Sequence, residues 1–388
     1  MPSAHRRVRP APVPSGCRNR GDPCGPDNRN AYARGHRARR AVPRLSVLPA
    51  LAVLALVPAG CAGPRSALHP AGADAERIAA LAWWLFGAAA LVWIAVMGIA
   101  LYAQFARRPR DPEPAARLLV VGGGVVFPVV VLAVLLGYGL WLMPRLNAPA
   151  PPGAVTVEVS GEQWWWRVRY LPPADAQPGT GAAPAATARD TADRTVELAN
   201  ELHLPVGERT QLRLVSGDVI HSFWVPALAG KMDMIPGRAN QLVLEPTRTG
   251  EFPGACAEYC GTAHAQMGFV VVVEPRPAFE RWLAAQRAPA PPPATPLAER
   301  GHEVFIASGC GACHRVRGTA AEGTIGPDLT HVGSRRTLAG GALRNGPEAL
   351  RRWVGHPRGV KPGVLMPAFG LLPDADLTAL AAYLEGLR

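Results

Sequence analysis

At 388 residues the chain has room for two or three domains, so core size is not a limit. Its formal net charge of +12 points at first to nucleic acid, but residues 1–60 hold eleven Arg and two Asp, and the remainder carries an excess of only about +3. Nucleic-acid binding is therefore discounted.

The chain opens on a leader, residues 1–60. Arg39, Arg40 and Arg44 precede an uncharged stretch, Leu45 to Gly60, that ends at Cys61. That order is a basic region, an apolar region and a small-residue cleavage site. The ending Ala59-Gly60-Cys61 resembles a bacterial lipoprotein signal, which would make a lipidated Cys61 the first mature residue. Pro58 departs from that pattern, and an ordinary signal peptide or an uncleaved anchor stays open.

Two uncharged apolar runs follow, Ile78 to Ala106 and Leu118 to Pro144. Each exceeds the ~20 residues that a helix needs to cross the hydrocarbon core. Trp83, Trp84, Tyr102, Tyr138 and Trp141 lie near their ends, where interfacial aromatics belong. A transmembrane hairpin is predicted over 75–146. Its loop holds Arg107, Arg108, Arg110 and Arg117, so the loop is cytoplasmic and both outer ends face outward.

From Ala154 to Glu274 the pattern is of short β-strands, with alternation at Val155, Val157 and Val159 and a β-branched run at Val270 to Val273. One β-domain is predicted over 153–275, interrupted by a low-complexity Pro/Ala/Gly/Thr insertion over 171–194. Residues 276–296 read as a short helix, Pro277 to Arg287, and a Pro/Ala linker, Ala288 to Pro296, extended and semi-rigid. Residues 297–388 have helical patterning at both ends.

The cysteines fall in close pairs with His nearby, which reads as cofactor ligation. The segment Cys256-Ala-Glu-Tyr-Cys260-Gly-Thr-Ala-His264-Ala-Gln-Met267 puts two thiolates, an imidazole and a thioether within twelve residues, and His221 supplies a second imidazole. Soft sulfur with imidazole suits copper, and thiolate also suits zinc. Zinc would leave Met267 idle, and five candidate side chains are too many for one copper. Two coppers sharing both thiolates fit better, with the Glu258 carbonyl as a weak ligand opposite Met267. Further on, Cys310-Gly-Ala-Cys313-His314 is the c-type haem attachment word, with His314 as proximal iron ligand. Leu365-Met366-Pro367 offers a thioether for the other axial position; His331 and His356 are alternatives.

The words D-V-I-H-S-F-W-V-P, K-M-D-M-I-P-G-R and C-A-E-Y-C-G-T-A-H-A-Q-M resemble the copper domain of cytochrome c oxidase subunit II. The resemblance implies a cupredoxin-like β-barrel with a dinuclear CuA centre held by His221, Cys256, the Glu258 carbonyl, Cys260, His264 and Met267. It also implies a Mg²⁺ near the Glu258 carboxylate at the interface with subunit I. The run Gln163-Trp164-Trp165-Trp166 matches the family's aromatic cluster, in which Trp164 would be the surface entry point for electrons and Trp165 and Trp166 packing residues. Residues 297–388 resemble class I cytochrome c, an all-α domain, which implies His314 and Met366 as axial ligands and the Pro327 carbonyl as the acceptor that orients His314.

Together the parts resemble a caa-type subunit II, in which a cytochrome c domain is fused behind the copper domain. Such a subunit implies a bacterial inner-membrane protein with both domains on the periplasmic side, oxidase subunit I and further subunits as partners, and an external cytochrome c or other electron donor. A nitric oxide reductase with a CuA electron-entry subunit is the alternative. One departure concerns protons. Many members carry a Glu in the second membrane helix shortly before a Pro, whereas Val121 to Phe127 before Pro128 holds no carboxylate. Asp111 and Glu113 in the loop are the nearest substitutes.

Overall fold

The structure, a computed structural model, describes residues 63, 65–105, 113–146, 148–172 and 195–388. The expected leader, Cys61, the loop residues Arg107, Arg108, Arg110 and Asp111, and most of the insertion lie outside the described residues.

Two long helices occupy the two apolar runs, α1 (Ala73–Phe105) and α2 (Glu113–Leu146). Their apolar side chains are almost all exposed, as lipid-facing surfaces are. Asp74 and Glu76 sit in the first turn of α1, where carboxylates oppose the positive end of the helix dipole. Arg145 closes α2, its guanidinium 3.5 Å above the Trp141 ring. Within α2 the backbone widens into a π-helical segment, Leu118–Val126, and the Phe127 N–H bonds the Gly122 carbonyl five residues back. Pro128 explains this. It has no N–H for the Gly124 carbonyl, and three glycines in a row resist the change of pitch weakly. Glu113, one of the two carboxylates considered for proton uptake, is the first residue of α2.

The start of α1 is stitched to the β-domain. The Ala71 N–H bonds the Ala227 carbonyl at 2.6 Å, the Ala73 N–H bonds the Glu245 carbonyl at 3.0 Å, and Gly72 bridges Pro246. A Cβ on Gly72 would lie 2.3 Å from the Leu228 carbonyl oxygen, so only glycine fits there.

The β-domain is a cupredoxin-like sandwich of two five-stranded sheets. One sheet runs β3 (Val196–Ala199), β2 (Trp165–Leu171), β1 (Thr156–Glu162), β5 (Thr210–Ser216), β8 (Asn240–Leu244). The other runs β4 (Glu201–Pro205), β10 (Gly268–Glu274), β9 (Gly250–Cys256), β6 (His221–Trp224), β7 (Met232–Met234). Alternation along β1 and β5 turns Val157, Val159, Leu212 and Leu214 inward, where they meet Trp166, Phe223, Phe269 and Val271. The metal-ligand candidates thus fall at one end of one sheet. His221 opens β6, Cys256 ends β9, and Met267 directly precedes β10.

Helix α3 (Arg276–Arg287) packs Phe279 and Trp282 against Tyr170. The linker then lies along the C-terminal domain instead of spanning open space: the Ala290 N–H bonds the Arg317 carbonyl at 2.9 Å. It ends at Thr295, whose hydroxyl caps α4 (Pro296–Ala307) by accepting the Ala298 N–H at 3.1 Å. The C-terminal domain continues with α5 (Pro347–Gly355), α6 (Pro357–Val360) and α7 (Asp374–Gly386). A two-rung hairpin, β11 (Thr337–Leu338) and β12 (Leu343–Arg344), interrupts the expected all-α pattern. Left-handed backbone at Gly340 and Gly341 makes that turn.

Helices α4 and α7 cross at Gly301, where a Cβ would lie 2.0 Å from the Ala379 carbonyl oxygen and 2.7 Å from the Tyr383 Cβ. Gly301→Ala is expected to destabilise this domain by about 1–3 kcal/mol through overpacking. Denaturant titration followed by haem absorption would read the change, and an unaltered midpoint would contradict it.

The two domains touch along a polar seam. The Gly268 N–H bonds the Gly340 carbonyl at 2.8 Å, and the Arg336 N–H bonds Glu201 Oε2 at 2.8 Å. Arg336 pairs with Glu251 at 2.8 Å, Gln266 Nε2 donates to the Val360 carbonyl at 3.0 Å, and Arg167 Nη2 donates to the Thr324 carbonyl at 3.0 Å.

Candidate metal centre and haem site

The loop between β9 and β10 folds its sulfurs back onto the start of β6. Cys256 Sγ and Cys260 Sγ lie 3.8 Å apart, too far for a disulfide. His221 Nδ1 is 3.8 Å from Cys256 Sγ, and His264 Nδ1 is 3.6 Å from Cys260 Sγ. Met267 Sδ is 3.7 Å from Cys260 Sγ, and the Glu258 carbonyl oxygen is 3.1 Å from Cys256 Sγ. All six donor atoms proposed from sequence therefore converge. A tetrahedral zinc uses four donors, and a mononuclear blue-copper site uses two imidazoles, one thiolate and a weak axial ligand. Two thiolates, two imidazoles, a thioether and a carbonyl fit two metals sharing the sulfurs.

The electrostatics favour cations there. Burial and the neighbouring Cys256 push the Cys260 thiol up to about 12. Two thiolates this close cannot both ionise cheaply by themselves, whereas a bound metal deprotonates a coordinating thiol outright. Among the described residues, His221, Cys256 and Cys260 are the group of metal-capable side chains gathered within a single ion's reach. The Glu258 carboxylate is not part of it and lies 3.6 Å from Lys231 Nζ.

Sequence reading missed three supporting residues. Asp218 Oδ1 is 2.8 Å from His221 Nε2, which keeps the proton on that nitrogen and leaves Nδ1 as the donor facing the sulfurs. Burial opposes ionisation of Asp218, but the bonds from His221, the Val219 N–H and the Gln163 N–H outweigh it and hold the carboxyl below its ordinary range. Gly161 lies under the His221 ring; a Cβ would meet His221 Cδ2 at 2.7 Å. The signals were present, an acid three residues before the histidine and a glycine in an otherwise valine-rich strand, but nothing in the sequence pairs β1 with this site. Lys361 is the third.

Trp164 is buried, 9% exposed, so its expected position at the surface is not what the structure has. Its Nε1 donates to the Cys260 carbonyl at 2.9 Å, and the C-terminal domain covers its ring. Trp166 is wholly buried between Phe223 and Phe269, and Trp165 carries the Arg167 guanidinium 4.6 Å above its ring.

In the C-terminal domain, Cys310, Cys313 and His314 occupy the turn after α4, both thiols free and partly exposed. His314 Nδ1 donates to the Pro327 carbonyl at 2.8 Å, which leaves Nε2 as the lone-pair nitrogen. Burial lowers the His314 pKa and keeps the ring neutral, the form that binds iron. A Cβ on Gly326 would clash with His314 Cε1 at 2.6 Å, so the orienting segment passes close only because it is glycine there. Met366 packs at the edge of the domain core. The alternative ligands are placed otherwise: His331 Nε2 is 3.1 Å from the Ala288 carbonyl of the linker, and His356 is exposed beside Gly370.

A family model described as cytochrome c oxidase subunit II, periplasmic domain, matches residues 155–274, and one described as cytochrome c matches residues 298–388. The chain is 32% identical over 354 residues to cytochrome c oxidase subunit 2 of Alkalihalophilus pseudofirmus, covering 87% of this chain and 96% of that protein. It is 34% identical over 226 residues to the alternative cytochrome c oxidase subunit 2 of Bradyrhizobium diazoefficiens, covering 53% of this chain and 78% of that one. Among solved structures, the periplasmic domain of subunit II of cytochrome oxidase of Bradyrhizobium japonicum is 27% identical, with a TM-score of 0.29, and is matched over 96% of its length and 36% of this chain.

Proposed function

The chain belongs to the cytochrome c oxidase subunit 2 family, and from that premise we propose how its residues carry electrons into the oxidase. It is the electron-entry subunit of a haem–copper cytochrome c oxidase, membrane-anchored and assembled with other oxidase subunits. The nitric oxide reductase alternative is not favoured, because the named relatives are oxidase subunits.

In the finer reading, Cys310 and Cys313 fix a haem c covalently, and His314 and Met366 hold its iron. His221, Cys256, the Glu258 carbonyl, Cys260, His264 and Met267 hold a CuA pair, and the observation that carries this is the convergence of those six donor atoms. When bound, the copper pair supplies a one-electron store spread over two metals, and the haem supplies a second one-electron store upstream. The protein's own part is to hold both rigidly. Asp218 fixes the His221 tautomer, the Pro327 carbonyl fixes that of His314, and Trp164 occupies the space between the Cys260 carbonyl and the haem domain. With both groups bound, these residues would hold a route for electrons from an external donor to subunit I, the haem end being set by His314 and Met366 and the copper end by the six donors around Cys256 and Cys260. The arginines of the loop sequence support a reading in which both domains lie on the periplasmic side of a bacterial inner membrane, and a Mg²⁺ shared with subunit I would use the Glu258 carboxylate.

Metal analysis and electron paramagnetic resonance of the full chain in its purified complex test this. Two coppers with a mixed-valence signal and one haem iron for each copy of this chain are expected; zinc, or a single copper, would overturn it. Met366→His should lower the haem potential, since bis-imidazole ligation sits below thioether ligation. Potentiometry and steady-state oxidation would show a lower midpoint and slower turnover with the copper signal intact.

A further inference from the structure

Lys361 belongs to the haem domain, yet its ammonium is buried at the seam, the residue 2% exposed. It donates to the Trp164 carbonyl of the copper domain and to the Ala339 carbonyl of its own domain, the latter at 3.1 Å. Among the described residues it forms no ion pair with a carboxylate, and the charged group that favours its protonated form is the Cys260 thiol. Burying an unpaired cation is expensive, and burial lowers its pKa to about 8. A cation retained against that cost, satisfied by backbone carbonyls from two domains, specifies one relative placement of those domains.

The surroundings say which placement. Trp164 Nε1 and Gln163 Nε2 both donate to the Cys260 carbonyl, at 2.9 and 2.7 Å. The Trp164 ring is held between two glycines. A Cβ on Gly261 of the copper loop would meet its Cζ2 at 3.0 Å, and a Cβ on Gly363 of the haem domain would meet its Cη2 at 2.9 Å. Gly363 stands three residues before Met366 and two after Lys361.

We propose that Lys361 is a positioning residue for electron transfer within the chain: it clamps the Met366 loop onto Trp164 and the Cys260 carbonyl, so the haem domain acts as a docked donor and not a tethered one. Trp164 is then an internal contact, closed to an outside protein, and an external donor must deliver its electron to the haem. The step served is a one-electron transfer that oxidises the haem centre and reduces the copper centre, with no proton moved. The inference rests on the cofactor assignments above.

The test uses the assembled oxidase. In the wild type, hydrogen exchange should show amides around residues 163–165, 339–341 and 361–363 protected; free-surface exchange there, with both cofactors present, overturns docking whatever the variants do. Absence of the copper pair or the haem would instead sink the cofactor reading. Lys361→Met should lower protection along the seam about 10-fold or more and slow flash-initiated haem-to-copper transfer about 10-fold or more, with the haem and copper spectra unchanged. Gly363→Ala should do the same by pushing on the Trp164 ring while the lysine remains. Lys361→Met keeping wild-type protection and wild-type transfer rate would overturn the role of Lys361, and Gly363→Ala keeping both would overturn the seating of the Met366 loop on Trp164.

Discussion

Replacing Cys260 by serine is expected to remove the copper pair and to reduce oxidase turnover by more than about 100-fold. Cys260 Sγ has three of the other donors around it, Cys256 Sγ at 3.8 Å, His264 Nδ1 at 3.6 Å and Met267 Sδ at 3.7 Å, as many as surround Cys256 Sγ. A serine hydroxyl is a hard, protonated donor that cannot be shared between soft metals. Loss of a residue that merely orients a metal ligand costs about 10–100-fold in affinity or activity, so loss of a shared ligand lies beyond that range. The haem should remain reducible by external donors, because the serine lies in the other domain. Copper content and stopped-flow haem reduction would check both halves. Retention of two coppers, or of turnover within about 10-fold, would contradict the shared-sulfur arrangement.

Asp218→Asn should lower copper affinity or turnover by about 10–100-fold without unfolding the domain. The asparagine keeps the size and the bond to the Val219 N–H but loses the negative charge at His221 Nε2. Flipped, it would give up the Val219 bond and present its NH₂ to the ring, which would favour the proton on Nδ1, the nitrogen that faces Cys256. A competition assay against a copper chelator, with circular dichroism to monitor the fold, separates ligand orientation from stability. Unchanged affinity would mean that Asp218 is only a turn-forming residue.

The ligand set was legible because six donors of the right softness are compressed into two short words, and ligand counting needs no coordinates. The haem word was legible for the same reason, and so was the Pro327 carbonyl beside His314; Met366 as the other axial ligand is part of the proposal. The supports were not. Asp218 reads as an ordinary turn residue until β6 is folded back, and Gly161 matters only once β1 brings it under His221. Trp164 shows the limit most clearly. Adjacent aromatics on a strand alternate in direction, so sequence could divide the cluster between core and surface, and Trp166 and Trp165 follow that division. What closes over Trp164 is a loop nearly two hundred residues away, and only the tertiary arrangement brings it there. The linker misled similarly: its Pro/Ala composition describes an extended spacer, but the contacts of Ala290 and Ala288 with the haem domain fasten it down.

The seam between Gly268 and Gly340 bears on how such a protein can be rebuilt from parts. A Cβ on Gly268 would lie 2.9 Å from the Gly340 carbonyl oxygen, and one on Gly340 would lie 2.7 Å from Lys361 Nζ. Backbone meets backbone between Gly268 and Gly340, with the Lys361 ammonium and the Arg65 guanidinium beside it. A chimaera that keeps the linker and borrows its haem domain from another oxidase would join the two modules covalently without reproducing their fit. Transplanting the complementary surface, Arg336, Gly340, Lys361 and Gly363 together, is the smaller unit that such an exchange has to carry.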